Sequence, residues 1–599
     1  MSEHRLKERH EIPEHLTWDL TDNFADTGEW EQAFKSAEEY IEEAKTFQGR
    51  LGNSGEELLR FLRWEDESES LISRIYNYAH LLRDQDARHT EHLEMEQCAR
   101  SLIRQYTVAT SWANPEIIAL DPELVKGWLE RVDGLGHYQH ALDKIMRFQP
   151  HTLSPSEESL LAAAGEALGG GRDAFSALND ADLTFPNVHD EEGNEIELTR
   201  GRYALLLESQ NREVREEAYR AIFGTYRKYS NTFAATLGSA VKTHVFNAEA
   251  RNYESAREAA TFRNAIPETV HQTLIETVGN RTDLLHRYVE LRKKVLGIDD
   301  LKPFDLYTPL VKDVDLHYSY EEAQELIIKA LKPLGEEYEQ ILRQCFDERW
   351  IDVMENRGKR SGAYSSGTYG TNPHILLNWN GTLDAVFTLA HELGHSLHSY
   401  LTWDNQSYVY GSYGIFLAEI ASTTNEILLT GYLLENNEDP NVQAYVINHY
   451  LDGFKGTVFR QTQFAEFEHE IHQMAHRREP LTAGGMSELY GKINAKYYGD
   501  GLEADEDINH EWMRIPHFYM NYYVYQYSTG FSAATAFAKA IEEEGQPAVD
   551  RYLAFLKSGS SAYPIDILKD AGLDMTTSEP IDAALDSFER YLDAFEKTL

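Results

Sequence analysis

Residues 382–401 constrain the chain more than any other stretch. Val386, Leu389, Ala390, Leu393, Leu397 and Tyr400 recur at intervals of three and four, the spacing that lines one face of an α-helix. Thr382 stands ahead of them with the hydroxyl that a helix N-terminus needs. His391, His395 and His398 follow one another at intervals of four and three, a second stripe on the same helix, with Glu392 beside it. A helix that buries one face in a core and turns imidazoles to the other belongs at the wall of a cleft.

Two imidazoles one turn apart can ligate a single ion. Rigid neighbours on a helix bring their nitrogens to the distance of about 2.0–2.1 Å that zinc requires at little entropic cost. Glu392, next to His391, is placed to take a proton from water without occupying a coordination position, which is the arrangement implied by His-Glu-x-x-His. A catalytic zinc keeps three protein ligands. Glu419 is the expected third, because it lies on the apolar helical stretch 415–426, where an unpaired carboxylate is costly to bury. Glu426 shares its face at i+7 and competes for that place, but reads better as an acceptor for the N–H of a ligand histidine. One zinc ion per chain is expected. The run Glu466, Glu468, His469, Glu470, His472, His476 also spaces histidines one turn apart, but Gln473 stands where the base would be, so it reads as structural.

With 100 acidic and 56 basic residues among 599, the formal net charge of −44 repels phosphate backbones and anionic lipid surfaces, so nucleic acid and membrane partners are not expected. No window approaches the roughly 18 uncharged apolar residues of a membrane span, and the polar start predicts no cleaved signal. Cys98 and Cys345 lack the spacing of a disulfide framework or a thiolate metal site, which fits a reducing cytoplasm.

Helical periodicity runs from about residue 29 to 147, and from about 202 to 360 with breaks at Pro303 and at 307–310. Gly165, Gly169, Gly170 and Gly171 predict a hinge or the end of a helical layer near 154–172. Residues 183–198 predict a hairpin, and 362–380 a glycine-rich turn with a short strand. After Gly381 the pattern is helical almost to the end. The expected fold is mainly α, with a helical N-terminal domain over 1–200, a catalytic domain over 201–599 and a small sheet beside the motif helix.

Leu-Gly at the centre of the motif, the upstream Gly-Thr-Tyr-Gly-Thr-Asn-Pro-His-Ile-Leu-Leu-Asn-Trp-Asn-Gly-Thr and the downstream Glu419-x-x-Ser422 together resemble the oligoendopeptidase F family, a branch of the thimet-oligopeptidase-like metallopeptidases. Trp18-Asp-Leu and the 185–203 hairpin region extend the resemblance over nearly the whole chain. It implies an elongated, two-lobed helical molecule enclosing a deep channel, zinc at the channel floor, and oligopeptide substrates. It carries His391, His395 and Glu419 over as ligands and Glu392 as base. It also marks the segment from His517 to Tyr527 as substrate-binding, with a histidine and tyrosines that hold peptide and the oxyanion.

Read on its own, that segment places five tyrosines within ten residues after His517, a cluster of phenols suited to a polar cleft. The resemblance implies that Tyr522 binds substrate and that His517 with Tyr525 or Tyr527 donates to the developing oxyanion. Residues 372–379, with His374 and Leu376 among them and Gly370 just before, are expected to hold the peptide as an added strand at a sheet edge. The predicted reaction is hydrolysis of internal peptide bonds. A helical metallocarboxypeptidase would share the zinc motif but needs a cationic group for the free C-terminus of its substrate.

Overall fold

The computed structural model describes residues 5–311, 316–503 and 505–598. The polar opening at 1–4 and the helical reading across 312–315 lie outside the described residues. Helices make up most of the chain, and the sheets among the described residues have two and three strands. The mainly α expectation holds.

Two compact units interleave in sequence. The first comprises Met1–Thr152, Leu316–Tyr432 and Ala540–Gly572, and the second Leu153–Asp315, Leu433–Lys539 and Leu573–Leu599. A division at residue 200 matches none of the points at which the chain passes from one unit to the other. Helical periodicity reports which face a helix buries and not which neighbour it buries it against, so periodicity alone does not mark where the chain leaves one unit for the other.

In the first unit, helices Thr27–Ala44 and Gly55–Gln85 start on side-chain caps. Asp26 accepts from the Glu29 N–H at 3.0 Å and Ser54 from the Glu57 N–H at 3.3 Å. With Thr90–Thr110 they enclose an aromatic core of Phe47, Phe61, Trp64 and Tyr106. Strand His374–Leu376 lies at the centre of the three-stranded sheet, parallel to Ile351–Asp352 and antiparallel to Tyr364–Ser366. The Tyr364 hydroxyl donates to Asp84 at 3.0 Å and the Ser366 hydroxyl to Asn77 at 3.2 Å, both on helix Gly55–Gln85. Ser365, pointing to the other face, meets Ser396 at 2.8 Å.

The central position of His374–Leu376 corrects the expectation of a peptide added there. Both of its hydrogen-bonding edges are already paired, and the His374 and Leu376 side chains are fully buried. His374 bonds the Asp19 carbonyl at 2.9 Å and meets Trp18 edge-on, a core histidine that ties the start of the chain to the sheet. Gly370 occupies an exposed turn with φ +85°. The edge strands of the sheet are Ile351–Asp352, flanked by backbone bonds to Leu16 and Asp19, and Tyr364–Ser366.

In the second unit the glycine run does not end a helix. Pro155–Ser176 is continuous, opened by a capping box between Ser154 and Glu157. Gly171 explains part of the run, since a Cβ there would meet Ser239 Cβ at 2.8 Å and the Thr236 carbonyl at 2.9 Å on helix Ser230–Ala250. Close helix packing offsets the poor helix propensity that makes glycine read as a breaker. The hairpin forms as expected, with Val188–His189 paired to Glu195–Ile196 around a turn in which Asp190 accepts from the Asn194 N–H at 2.8 Å. Among the described residues no helix is long and apolar enough to cross a membrane.

Candidate active site

Thr382 caps the motif helix Leu383–Asn405, its hydroxyl accepting from the Ala385 N–H at 3.2 Å. Val386, Leu389, Leu393 and Leu397 are fully buried, as the stripe predicts. Gly394 lies where this helix meets Ile415–Asn436 at backbone contact. A Cβ at 394 would come within 2.5 Å of Ser422 Cα and 2.8 Å of the Ala421 carbonyl oxygen. The buried Asn425 fastens the two helices by donating to the Ala390 carbonyl at 3.0 Å and accepting from the Tyr338 hydroxyl at 2.9 Å. Glycine inside the motif therefore sets how near Glu419 comes to the histidines.

His391 Nε2 and His395 Nε2 stand 3.2 Å apart, and Glu419 Oε2 lies 3.6 Å from the first and 3.7 Å from the second. Ligands about 2.0–2.1 Å from a tetrahedral centre are separated from one another by about 3.3 Å, so this triangle fits a zinc ion. Two imidazoles and a carboxylate are the donor set that suits it. Among the described residues this is the group of His, Cys, Asp or Glu with three ligand atoms within 4.8 Å of one another. The Ser422 hydroxyl lies 3.2 Å from Glu419 Oε2. Glu426 takes the other nitrogen of His391, with Nδ1 to Oε1 at 2.5 Å. That contact fixes the tautomer that turns Nε2 toward Glu419 and His395.

The electrostatics follow from burial among charges. Burial lowers the His391 pKa, but the Glu426 hydrogen bond and charge, with Glu392 and Glu419, outweigh it and hold the imidazole at about 9. Burial, then the charge on His391, takes His395 down to about 4. Glu392 is only 8% exposed, and burial pushes its pKa up, against the His391 charge and the Ser365 backbone N–H, which lower it. Ser365 thus turns its amide away from the sheet toward the candidate base. His398, third on the histidine stripe, is instead stacked on Tyr413 at 3.7 Å and buried, with its pKa pulled down to about 3 by that burial.

The other expected substrate residues lie in the second unit. His517 and Tyr527 are half-buried and adjacent, with the Tyr527 hydroxyl 3.5 Å from His517 Nε2. Tyr523 completes the group, parallel to His517 at 5.9 Å and edge-on to Tyr527 at 5.5 Å. Tyr522 and Tyr525 are corrections. They are 3% and 2% exposed, turned into the interior around His271, and present no face to a substrate. Tyr523, not singled out in the sequence, precedes the helix Tyr525–Glu544 and packs edge-on against Tyr527.

The family model for Peptidase family M3 matches residues 205–587, and the model described as Oligopeptidase F matches 116–185. Oligopeptidase PepF of Bacillus subtilis (strain 168) is 49% identical over 595 residues, covering 99% of this chain and 89% of the relative. The crystal structure of oligoendopeptidase-F from Enterococcus faecium is 42% identical with a TM-score of 0.75, covering 96% of this chain and 99% of that one. A solved structure from Chlamydophila abortus, 36% identical, has a TM-score of 0.94 over 99% of this chain and 100% of its own. With a family model across more than half of its length and relatives of this identity along nearly all of it, the chain belongs to peptidase family M3, in the oligopeptidase F branch, and is an enzyme that hydrolyses oligopeptides.

Proposed function

We propose that the chain is a zinc-dependent endopeptidase that cleaves internal bonds of oligopeptides with Glu392 as general base. The observation that carries the reading is the convergence of His391, His395 and Glu419 on one point beside Glu392. His391, His395 and Glu419 would hold one zinc, which when bound supplies a Lewis acid that acidifies water and polarises the scissile carbonyl. Glu392 takes a proton from the attacking water as its oxygen bonds to the carbonyl carbon, then gives that proton to the amide nitrogen as the C–N bond breaks. A carboxylate pKa raised by burial suits a group that must both accept and return a proton near neutrality.

The outer edge of strand Tyr364–Ser366 is where an extended peptide can add by backbone hydrogen bonds, beside the Ser365 amide and Glu392. His517, Tyr523 and Tyr527 form the peptide-binding element of the second unit, offering an imidazole and phenols to peptide carbonyls. In sequence terms the chemistry falls within 201–599. Cys98 and Cys345 are both free, which suits a reducing cytoplasm.

Metal content tests the ligand set. The purified chain is expected to hold one zinc and to lose activity on chelation. Glu419→Gln should lose metal on dialysis more readily than Glu426→Gln, which leaves the ligand set whole and only replaces the charged acceptor of a ligand histidine with a neutral one, at a cost of at most about 10- to 100-fold in metal affinity. Full activity with far less than one transition metal per chain, or the reverse order of the two variants, refutes the assignment.

A further inference from the structure

The run 466–476, structural by its sequence, grips the loop that carries the His517–Tyr523–Tyr527 cluster. In that loop Asn521 and Tyr522 stand side by side with φ of 48° and 58°. A non-glycine residue in such a region costs roughly 1–3 kcal/mol and persists only where its surroundings impose it. Asparagine visits the left-handed region more readily than other side chains, but a tyrosine beside it has no such advantage. Tyr522 is held at both ends. Its backbone N–H donates to Glu468 Oε1 at 2.7 Å, and its hydroxyl meets His469 Nδ1 at 3.0 Å. Its ring centroid lies 4.8 Å from that of His472 and 5.3 Å from that of His271.

Glu468, on helix Arg460–His476, is completely buried, and its second oxygen has no hydrogen-bond partner among the described residues. Burial pushes its pKa up to about 8, against the Tyr522 N–H, which lowers it. A carboxylate in such surroundings costs stability that an apolar residue of similar size would not. What it adds is an acceptor aimed at the strained turn. The turn sends Tyr522 inward and leaves Tyr523 half-buried against His517.

We propose that Glu468 is a positioning residue for peptide hydrolysis, which by accepting the Tyr522 N–H holds the Asn521–Tyr522 turn and so sets His517, Tyr523 and Tyr527 in the arrangement that receives substrate. The inference rests on the reading of that cluster as peptide-binding. Glu468 itself touches no substrate; it acts through the loop.

The test uses the full chain with zinc bound and an internally quenched peptide blocked at both ends. Glu468→Ala should lower kcat/KM on the order of a hundredfold, the loss expected when reacting partners are misplaced by about 1 Å, while zinc content is unchanged. Glu468→Gln, which keeps an oxygen for the Tyr522 N–H, should restore most of the activity. In a His517→Ala background, Glu468→Ala should add little further loss, because both changes disable one element. Glu468→Leu fills the same space without an acceptor and carries the same expectations if Glu468→Ala does not fold. Wild-type kcat/KM in Glu468→Ala or Glu468→Leu, or losses that multiply in the double variant as for a general destabilisation, overturn the positioning role. Wild-type activity in His517→Ala overturns the peptide-binding reading of the cluster and this inference with it.

Discussion

Gly394→Ala should break the proposed zinc site without changing any of its ligand residues. A single methyl group placed on Gly394 would sit 2.5 Å from Ser422 Cα and 2.8 Å from both the Ala421 carbonyl oxygen and the Ser422 nitrogen. All three are backbone atoms, so no side-chain rotation relieves the overlap. Carbon atoms need about 3.5 Å, so the helices Leu383–Asn405 and Ile415–Asn436 must part locally by about 1 Å. Glu419 lies three residues from the point of collision, and its present distances of 3.6 and 3.7 Å from the two imidazoles would grow by a similar amount. One ion then cannot reach all three ligands at about 2.0–2.1 Å. Overpacking of this kind costs about 1–3 kcal/mol of stability. A 1 Å misplacement also costs on the order of a hundredfold in rate. Zinc retention against a chelator series, thermal unfolding and kcat/KM measured on one preparation separate these effects. Gly165→Ala is the control: it is a helical glycine with open space around its Cβ position, and it should stabilise by about 0.5–1 kcal/mol with zinc binding unchanged. Wild-type zinc affinity and activity in Gly394→Ala would refute the claim that this helix contact sets the ligand geometry.

Two further outcomes follow from buried side chains. Burial, with the neighbouring Glu69 and Asp66 charges, pushes Glu65 from the ordinary 4.5 up to about 8, so between those values the unfolded chain binds fewer protons there than the folded one. Wild type should therefore lose stability relative to Glu65→Gln as pH rises from 4.5 to 8 and no further above it, and a pH-independent difference in denaturation free energy contradicts the shift. Tyr527→Phe should lower kcat while Tyr525→Phe leaves it near wild type, since only the first hydroxyl lies beside His517; equal losses would return Tyr525 to the site.

The His391–His395–Glu419 cluster was legible because it is local. His391, His395 and the apolar stripe beside them are fixed by the 3.6-residue period, and Glu419 and Glu426 share a face seven residues apart on a second helix. What periodicity could not report was contact between elements. That His374–Leu376 lies at the centre of its sheet depends on Ile351–Asp352, over twenty residues upstream, pairing with it in parallel. The glycines at 165–171 read as breakers because the helix that accommodates Gly171 begins about sixty residues later. The tyrosines failed for a different reason: left-handed residues at 521 and 522 reverse the chain just before a helix starts, and no period assigns inward and outward faces across such a turn.

Glu392→Gln tests the central claim most directly. It preserves the size of the side chain and leaves His391, His395 and Glu419 in place, but its amide cannot accept a proton from water at neutral pH. Zinc content, peptide Kd and single-turnover hydrolysis should be measured on the same preparation. One zinc per chain, peptide affinity close to wild type and a rate reduced by about a hundred- to ten-thousandfold are expected. A variant that keeps its zinc and hydrolyses peptide at the wild-type rate would contradict the claim.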